Sequence, residues 1–282
     1  MKKWLYTFLT AFIVLSLAAC GGKSDDSKDG KGESTKGDDK TIVVGASNTP
    51  HAIILEEAKP LLEQKGYKLK IEKFQDYVLP NKVLAEGELD ANYFQHIPYF
   101  KGQVKDHGYD FEIAGGIHIE PIGVYSKKHK SLDELPKGAT VLMSSSVADH
   151  GRILTMLEKE GIIKLKDGIK KDTATVKDIV ENKKDLKFDY NYEPALLPQI
   201  YKKGEGDAVL INSNYAIDSG INPLEDAIAI EDNDSPYVNV IAVRKGDEKL
   251  EKIQALVDVL HSKEIQDFIL DEWKGSVVPV NK

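Results

Sequence analysis

The sequence predicts an α/β protein of two hinged lobes, each with a central β-sheet flanked by helices, and three observations predict it. A strand, helix, strand order opens the body at Thr41 and returns from Ala139. The two units also end alike. LPNKVLAEGELDANYF from Leu79 and LPQIYKKGEGDAVLI from Leu197 align after a one-residue gap, each with Gly-Glu-X-Asp-Ala leading from a helix into an apolar strand. Finally, extended apolar segments beside loops, near Pro121 and near Tyr237, supply the places where the chain crosses from one lobe to the other.

Ahead of the body, Lys2 and Lys3 precede an apolar run from Trp4 to Leu17 that ends in LAAC. A run this short, closed by small residues, reads as a cleaved export signal, because a spanning helix needs about 20 apolar residues. Cys20 is the only cysteine, so it has no internal disulfide partner. The segment resembles a bacterial lipobox, in which the cysteine is lipidated and becomes the first mature residue. From Gly21 to Lys40 there is no apolar side chain, so nothing offsets the entropy of ordering the segment, and it reads as a disordered tether. A lipidated cysteine on a solvated leash holds a soluble body beside a membrane.

The body begins with TIVVGAS, a buried strand that leaves through a Gly and Ser turn. Ile53, Ile54, Ala58, Leu61 and Leu62 recur at helical spacing, with Pro60 as an expected irregularity and Gly66 as the stop; YKLKIEKF then alternates as a strand should. The second unit repeats this with ATVLMSSS, a helix carrying Ile153, Leu154, Met156 and Leu157 up to Gly161, and the strand LKFDYNY. Two C-terminal helices, Leu250 to Leu260 and Lys263 to Trp273, are expected to pack back on the first lobe. The chain thus divides into a signal at residues 1–19, Cys20 and its tether to residue 40, a first lobe from residues 41–122 and 240–282, and a second lobe from residues 123–239.

At 41% hydrophobic residues the body can bury a sizeable core, while a formal net charge of -8 with no lysine run free of acid argues against a nucleic-acid partner. Two similar halves imply a crevice between them, where small-molecule sites favour the C-terminal ends of parallel strands. Phe94 and Ile211 are equivalent in the repeat, so Gln95 to Tyr99 and Asn212 to Tyr215 should face that crevice from opposite walls. This accounts for DANYFQHIPYF, which crowds four aromatic rings and a histidine into one stretch. A hinged two-lobed body on a lipid tether reads as the substrate-binding protein of an import system, with a periplasmic-binding-protein-like fold.

From about Thr41 to Lys282 the sequence resembles the methionine-binding lipoproteins of bacterial ABC importers, the NlpA family, through LDANYFQHIPYF, HIEPIGVYSKK, GRILTMLEKEGIIKLKDG, TATVKDI, INSNYA and YVNVIAVR. The resemblance implies methionine or a closely related compound as ligand, an importer permease and ATPase as partners, no cofactor and no catalysis. It implies that aromatic rings at Tyr77, Phe94 and Tyr99 surround the thioether, with His96 beside them. Sulfur and aromatic edges attract by about 0.3–1.5 kcal/mol per contact. Arg152, one of only two arginines, would grip the ligand carboxylate with its guanidinium fork from the first turn of the helix after SSSVADHG. Asn212 and Asn239 stand at the family's amide positions and offer both donors and acceptors. Arg244, in AVRKGDEK, reads as a structural ion pair.

The chain departs from the family before the arginine, with Asp149 where relatives commonly carry an amide and His150 where a small residue is common. Asp149 could therefore meet a displaced ammonium, and a methionine-containing dipeptide stays open as the ligand. The seven histidines are scattered without HExxH or a cysteine partner, so no metal site is expected, and His129 and His261 read as solvated. SSSVADHG holds Ser, Asp and His but lacks the G-x-S-x-G elbow of a hydrolase. A lipid-anchored adhesin without a small ligand is the remaining alternative.

Overall fold

Apolar runs too continuous to alternate make strands that must be covered on both faces. TIVVGAS and ATVLMSSS are such runs, and in the computed structural model, which describes residues 40–233 and 235–280, each lies inside a sheet. Cys20 and nearly all of the tether lie outside the described residues. In chain order the strands of the first half are β1 (Thr41–Ser47), β2 (Lys68–Phe74), β3 (Ala91–His96), β4 (Phe111–Ile119), β5 (Gly123–Tyr125) and β6 (Thr140–Ser144). Those of the second half are β7 (Ile163–Leu165), β8 (Ile179–Asn182), β9 (Lys187–Tyr192), β10 (Ala208–Ile211), β11 (Ala227–Ile230), β12 (Val238–Arg244) and β13 (Val278–Pro279).

The strand orders are β2-β1-β3-β12-β4-β13 and β9-β6-β10-β5-β11, so the repeat read from the sequence is a repeat of topology. In each sheet the first three strands are parallel, and the fourth pairs antiparallel with both of its neighbours. That fourth strand, β12 in one sheet and β5 in the other, is delivered by a crossing of the chain between the two lobes.

The helices are α1 (Ile53–Gln64), α2 (Leu79–Ala85), α3 (Ile97–His107), α4 (Val147–Lys159), α5 (Leu197–Lys202), α6 (Ser213–Asp218), α7 (Pro223–Asp226), α8 (Glu251–Leu260) and α9 (Lys263–Trp273). Pro60 does not interrupt α1. Both it and Glu56, whose carbonyl loses its intrahelical donor, are on the solvent side, where water can replace the missing hydrogen bond. The C-terminal helices do return to the first lobe, where Ile253, Leu256, Ile265, Ile269 and Trp273 share one core with Ile54, Leu55 and Leu62 of α1. In the second lobe Val141 and Met143 of β6 meet Ile153, Leu154 and Leu157 of α4, while Leu142 points to the opposite face among Leu197, Ile200 and Val209.

Gly-Glu-X-Asp-Ala has a physical reason. Asp90 is the aspartate of one copy, and its Oδ2 accepts the backbone N–H of Val43 in β1 at 2.8 Å. Asp207 is the aspartate of the other, and its Oδ2 accepts the N–H of Thr140 in β6, also at 2.8 Å. In both lobes the loop carboxylate satisfies a donor at the start of the central parallel strand and so fixes the incoming strand beside it.

Candidate functional site

The C-terminal ends of β3 and β10 converge on a narrow cavity with about 20 Å³ of water-accessible space. It is lined by all eight residues named from the sequence, Tyr77, Phe94, His96, Tyr99, Asp149, Arg152, Asn212 and Asn239, and also by Gln95, Glu120, Ser213 and Asn214.

One side is aromatic. Asp76 Oδ1 accepts the N–H groups of Val78 and Leu79 at 2.7 and 2.8 Å, which starts α2 and fixes the preceding loop that carries Tyr77. The Tyr77 ring lies 6.1 Å from Phe94, 6.0 Å from Tyr99 and 5.0 Å from Tyr215 of α6, so it touches both lobes. Its hydroxyl donates to Asn214 Oδ1 at 2.7 Å. Burial pushes this phenol well above its ordinary pKa, which keeps it a donor. The floor beneath is a knot of buried amides in which Gln95 Nε2 donates to Asn81 Oδ1 at 2.7 Å and Asn92 Oδ1 at 3.0 Å, while Asn81 Nδ2 returns a bond to Gln95 Oε1 at 3.0 Å. A network with every partner supplied holds one geometry.

The other side is polar. His96 caps α3: its Nδ1 accepts the N–H of Tyr99 at 3.1 Å, so Nε2 bears the hydrogen directed at Asp149 Oδ1, also 3.1 Å away. Asp149 Oδ2 in turn accepts from Asn212 Nδ2 at 3.2 Å. Burial alone would raise the Asp149 pKa, but the His96 hydrogen bond, the Arg152 charge and the Asn212 amide outweigh it and hold it below the usual carboxylate value. Asn212 Oδ1 is buried and accepts no hydrogen bond from the described residues. An ionised Asp149 and an open amide oxygen together favour a ligand that donates hydrogen bonds.

Arg152 corrects two expectations. The helix begins at Val147, so the arginine stands in its second turn and Asp149 occupies the first. Gly151 did not mark the helix start; it lies inside, where an added Cβ would come within 2.4 Å of the Lys171 carbonyl oxygen, and this close approach requires a glycine. Nor is the guanidinium fork open. Nε donates to Glu231 Oε2 at 3.0 Å, Nη2 donates to the same oxygen and to the Glu120 carbonyl at 2.6 Å, and Nη1 stands 3.9 Å from Asp149 Oδ1. Burial works to lower the Arg152 pKa, but the charge and hydrogen bond of Glu231 prevail, so it remains a cation.

Sequence reasoning missed Glu120, although it lies in the HIEPIG segment, where an acid among apolar residues next to a proline was the available signal. Its Oε1 accepts from His118 Nε2 at 2.7 Å and lies 3.3 Å from His51 Nε2, and its Oε2 accepts the Asn214 N–H at 3.0 Å. Tyr93 hydrogen-bonds His118 Nδ1, and Asn239 Oδ1 lies 3.2 Å from His51 Nε2. The histidines are therefore not all scattered. The ligand-type atoms of His51, His118 and Glu120 fall within 4.8 Å of one another, although the bonds above already engage them. Burial lowers His51 to about 4 and His118 to about 3, so both are neutral near pH 7, and burial raises Glu120. His261 is likewise not merely solvated, because its Nε2 donates to the Gly116 carbonyl at 2.7 Å; His129 lies within 3.8 Å of Asp207. Arg244 does form an ion pair, with Asp247 at 2.8 Å. In SSSVADHG, His150 Nε2 is bonded to the Ser144 carbonyl at 2.9 Å and Asp149 to His96, so the segment's Ser, Asp and His form no relay.

Comparison with known proteins agrees with this architecture. The chain is 47% identical to the methionine-binding lipoprotein MetQ of Bacillus subtilis, with 100% of each covered. The solved structure of a putative methionine-binding lipoprotein from B. subtilis is 51% identical with a TM-score of 0.84, covering 86% of this chain and 99% of that one. A nutrient binding protein from Burkholderia cenocepacia, solved bound to methionine, is 42% identical with a TM-score of 0.79, covering 84% and 99%. The family described as NlpA lipoprotein matches residues 42–281, and with these identities and a shared two-lobed fold the chain belongs to the NlpA lipoprotein family.

Proposed function

We propose that the protein is an extracytoplasmic substrate-binding lipoprotein that captures methionine, or a closely related methionine compound, and delivers it to the permease and ATPase of an ABC importer. It is not an enzyme, and it is held at the membrane through lipidated Cys20. Two lobes, residues 41–122 with 240–282 and residues 123–239, would move about the crossings near Pro121 and Tyr237. The observation that carries this reading is a single cavity with an aromatic half and a charged half drawn from both sheets. The thioether packs among Tyr77, Phe94 and Tyr99, where polarizable sulfur meets ring edges. The carboxylate lies toward Arg152 Nη1, and the ammonium toward Asp149 and Asn212 Oδ1, with Asn239 and His96 completing the polar wall. Kinship with a relative solved bound to methionine supports the choice of ligand.

A methionine-containing dipeptide is the second reading. Tyr77 and Tyr99 also line a wider groove of about 630 Å³ with Val78, Val147 and Glu193, which gives a longer ligand room beyond the rings. Native mass spectrometry of the purified protein distinguishes these, since a co-purified ligand is identified by its mass. Protein that carries no ligand and gains no thermal stability from methionine or from methionine dipeptides would overturn the binding function and favour a surface protein without a small ligand.

A further inference from the structure

Glu231 follows β11 on the second crossing and does not line the ligand cavity, yet it is the residue most tightly joined to Arg152. A guanidinium has five N–H donors. The single N–H of Nε and one of Nη2 go to Glu231 Oε2, and the other N–H of Nη2 goes to the Glu120 carbonyl, so only the two on Nη1 remain. The Tyr237 ring covers one face of the plane, 4.5 Å from the central carbon. Glu231 is itself fixed. Its Oε1 accepts the Ser235 hydroxyl at 2.9 Å, its Oε2 accepts the Ile122 N–H at 3.2 Å, and its own N–H donates to the Ile122 carbonyl at 3.0 Å. Ile122 belongs to the first crossing and Glu231 to the second, so this one carboxylate joins both crossings to α4.

We infer that Glu231 is a positioning residue for ligand recognition: it holds Arg152 by the Nε and Nη2 edge so that Nη1 alone serves the cavity, and it keeps the guanidinium from closing on Asp149. The inference rests on the amino-acid-binding reading of the cavity. Nη1 stands 3.9 Å from Asp149 Oδ1, beyond a hydrogen bond but close enough for a small rotation to make one. A direct Arg152–Asp149 pair would neutralise the group meant for the carboxylate and the group meant for the ammonium in one step. Glu231 prevents this by offering a competing carboxylate on the far side of the plane, away from the ligand. It also makes the aim of Arg152 depend on the arrangement of both crossings, so that the anion-binding group is correctly set only when those segments are in register.

The test is titration calorimetry on the full-length protein in detergent, with L-methionine and with methioninamide, which lacks the carboxylate. In the wild type methionine should bind more tightly than the amide. Glu231→Gln keeps the size and one acceptor but loses the charge; it should weaken methionine at least tenfold, about 1.4 kcal/mol, while amide affinity stays within about threefold, so that the ratio between the ligands collapses. Should this variant not fold, Glu231→Asp withdraws the carboxylate by one methylene and should shift the ratio in the same direction. A variant in which both ligands weaken alike would show a structural role only and overturn the inference. Tighter methionine binding in Glu231→Gln would show that Glu231 competes with the ligand, and would overturn it too. A wild type that binds neither compound defeats the proposed function, and the positioning role falls with it; a wild type that binds methionine beside a variant with an unchanged ratio defeats the positioning role alone.

Discussion

Tyr77 precedes α2 beside the first sheet and Asn214 follows β10 of the second, and a 2.7 Å hydrogen bond joins them beside the cavity. If ligand binding and closure are linked, losing this bond lowers affinity without touching any ligand atom. Tyr77→Phe removes the hydroxyl and keeps the ring against Phe94 and Tyr99. A neutral hydrogen bond contributes about 0.5–1.5 kcal/mol net, but here the acceptor stays behind on a residue that is only 4% exposed, so the cost rises to about 1–3 kcal/mol. That corresponds to roughly a 5- to 150-fold weaker Kd for methionine. Asn214→Ala strands the phenol instead and should cost a similar amount. The double variant leaves neither partner unsatisfied, so its loss should fall short of the sum by at least about 0.5 kcal/mol. Calorimetry on all four proteins with methionine and norleucine gives the cycle, and the preference for methionine should survive in Tyr77→Phe because the ring remains. Losses that simply add, within about 0.3 kcal/mol, would mean that the two groups do not act through each other and would refute a closure held at this point.

His51 and His118 are buried with pKa values lowered from 6.5 to about 4 and about 3, so the unfolded chain takes up protons below pH 6.5 that the folded chain refuses. Their contribution to stability is whole above pH 6.5 and is lost as pH falls toward 4, by up to about 1.4 kcal/mol per pH unit for each. Glu120, raised by burial, opposes this by taking up a proton in the folded state, so the informative quantity is the difference between wild type and His118→Gln in denaturant titrations: the variant's profile should be flatter between pH 6.5 and 4. Gly151→Ala forces a methyl against the Lys171 and Asp172 backbone and should cost about 1–3 kcal/mol, lowering Tm by about 2–12 °C in a thermal melt; an unchanged Tm would mean that the segment yields freely. Cys20→Ala should abolish metabolic labelling with a fatty acid and leave the protein either released or with its signal uncleaved, and retained lipid label would refute anchoring at that residue.

What could be read from the sequence was what is decided locally. The Gly-Glu-X-Asp-Ala repeat marked the two lobes because Asp90 and Asp207 do the same short-range work, each satisfying a backbone donor of the strand beside it. The aromatic wall was legible because Phe94 near the end of β3 and Tyr99 in the first turn of α3 are only five residues apart in one strand-to-helix run. The partners of Arg152 were not legible, and the reason is distance along the chain: Glu231 is 79 residues away and Glu120 is 32, and only the two crossings bring them to α4. The same holds for His51, which reaches Asn239 over 188 residues. An isolated acid in a loop has no periodicity to betray it, so an open arginine fork was the natural expectation. A buried guanidinium, however, must have its hydrogens accounted for whether or not a ligand is present. Arg152 lies 4% exposed in a cavity that also contains Asp149, and without a second anion it would pair with that aspartate. The requirement for a carboxylate behind the arginine therefore follows from burial, even where the sequence does not reveal which residue supplies it.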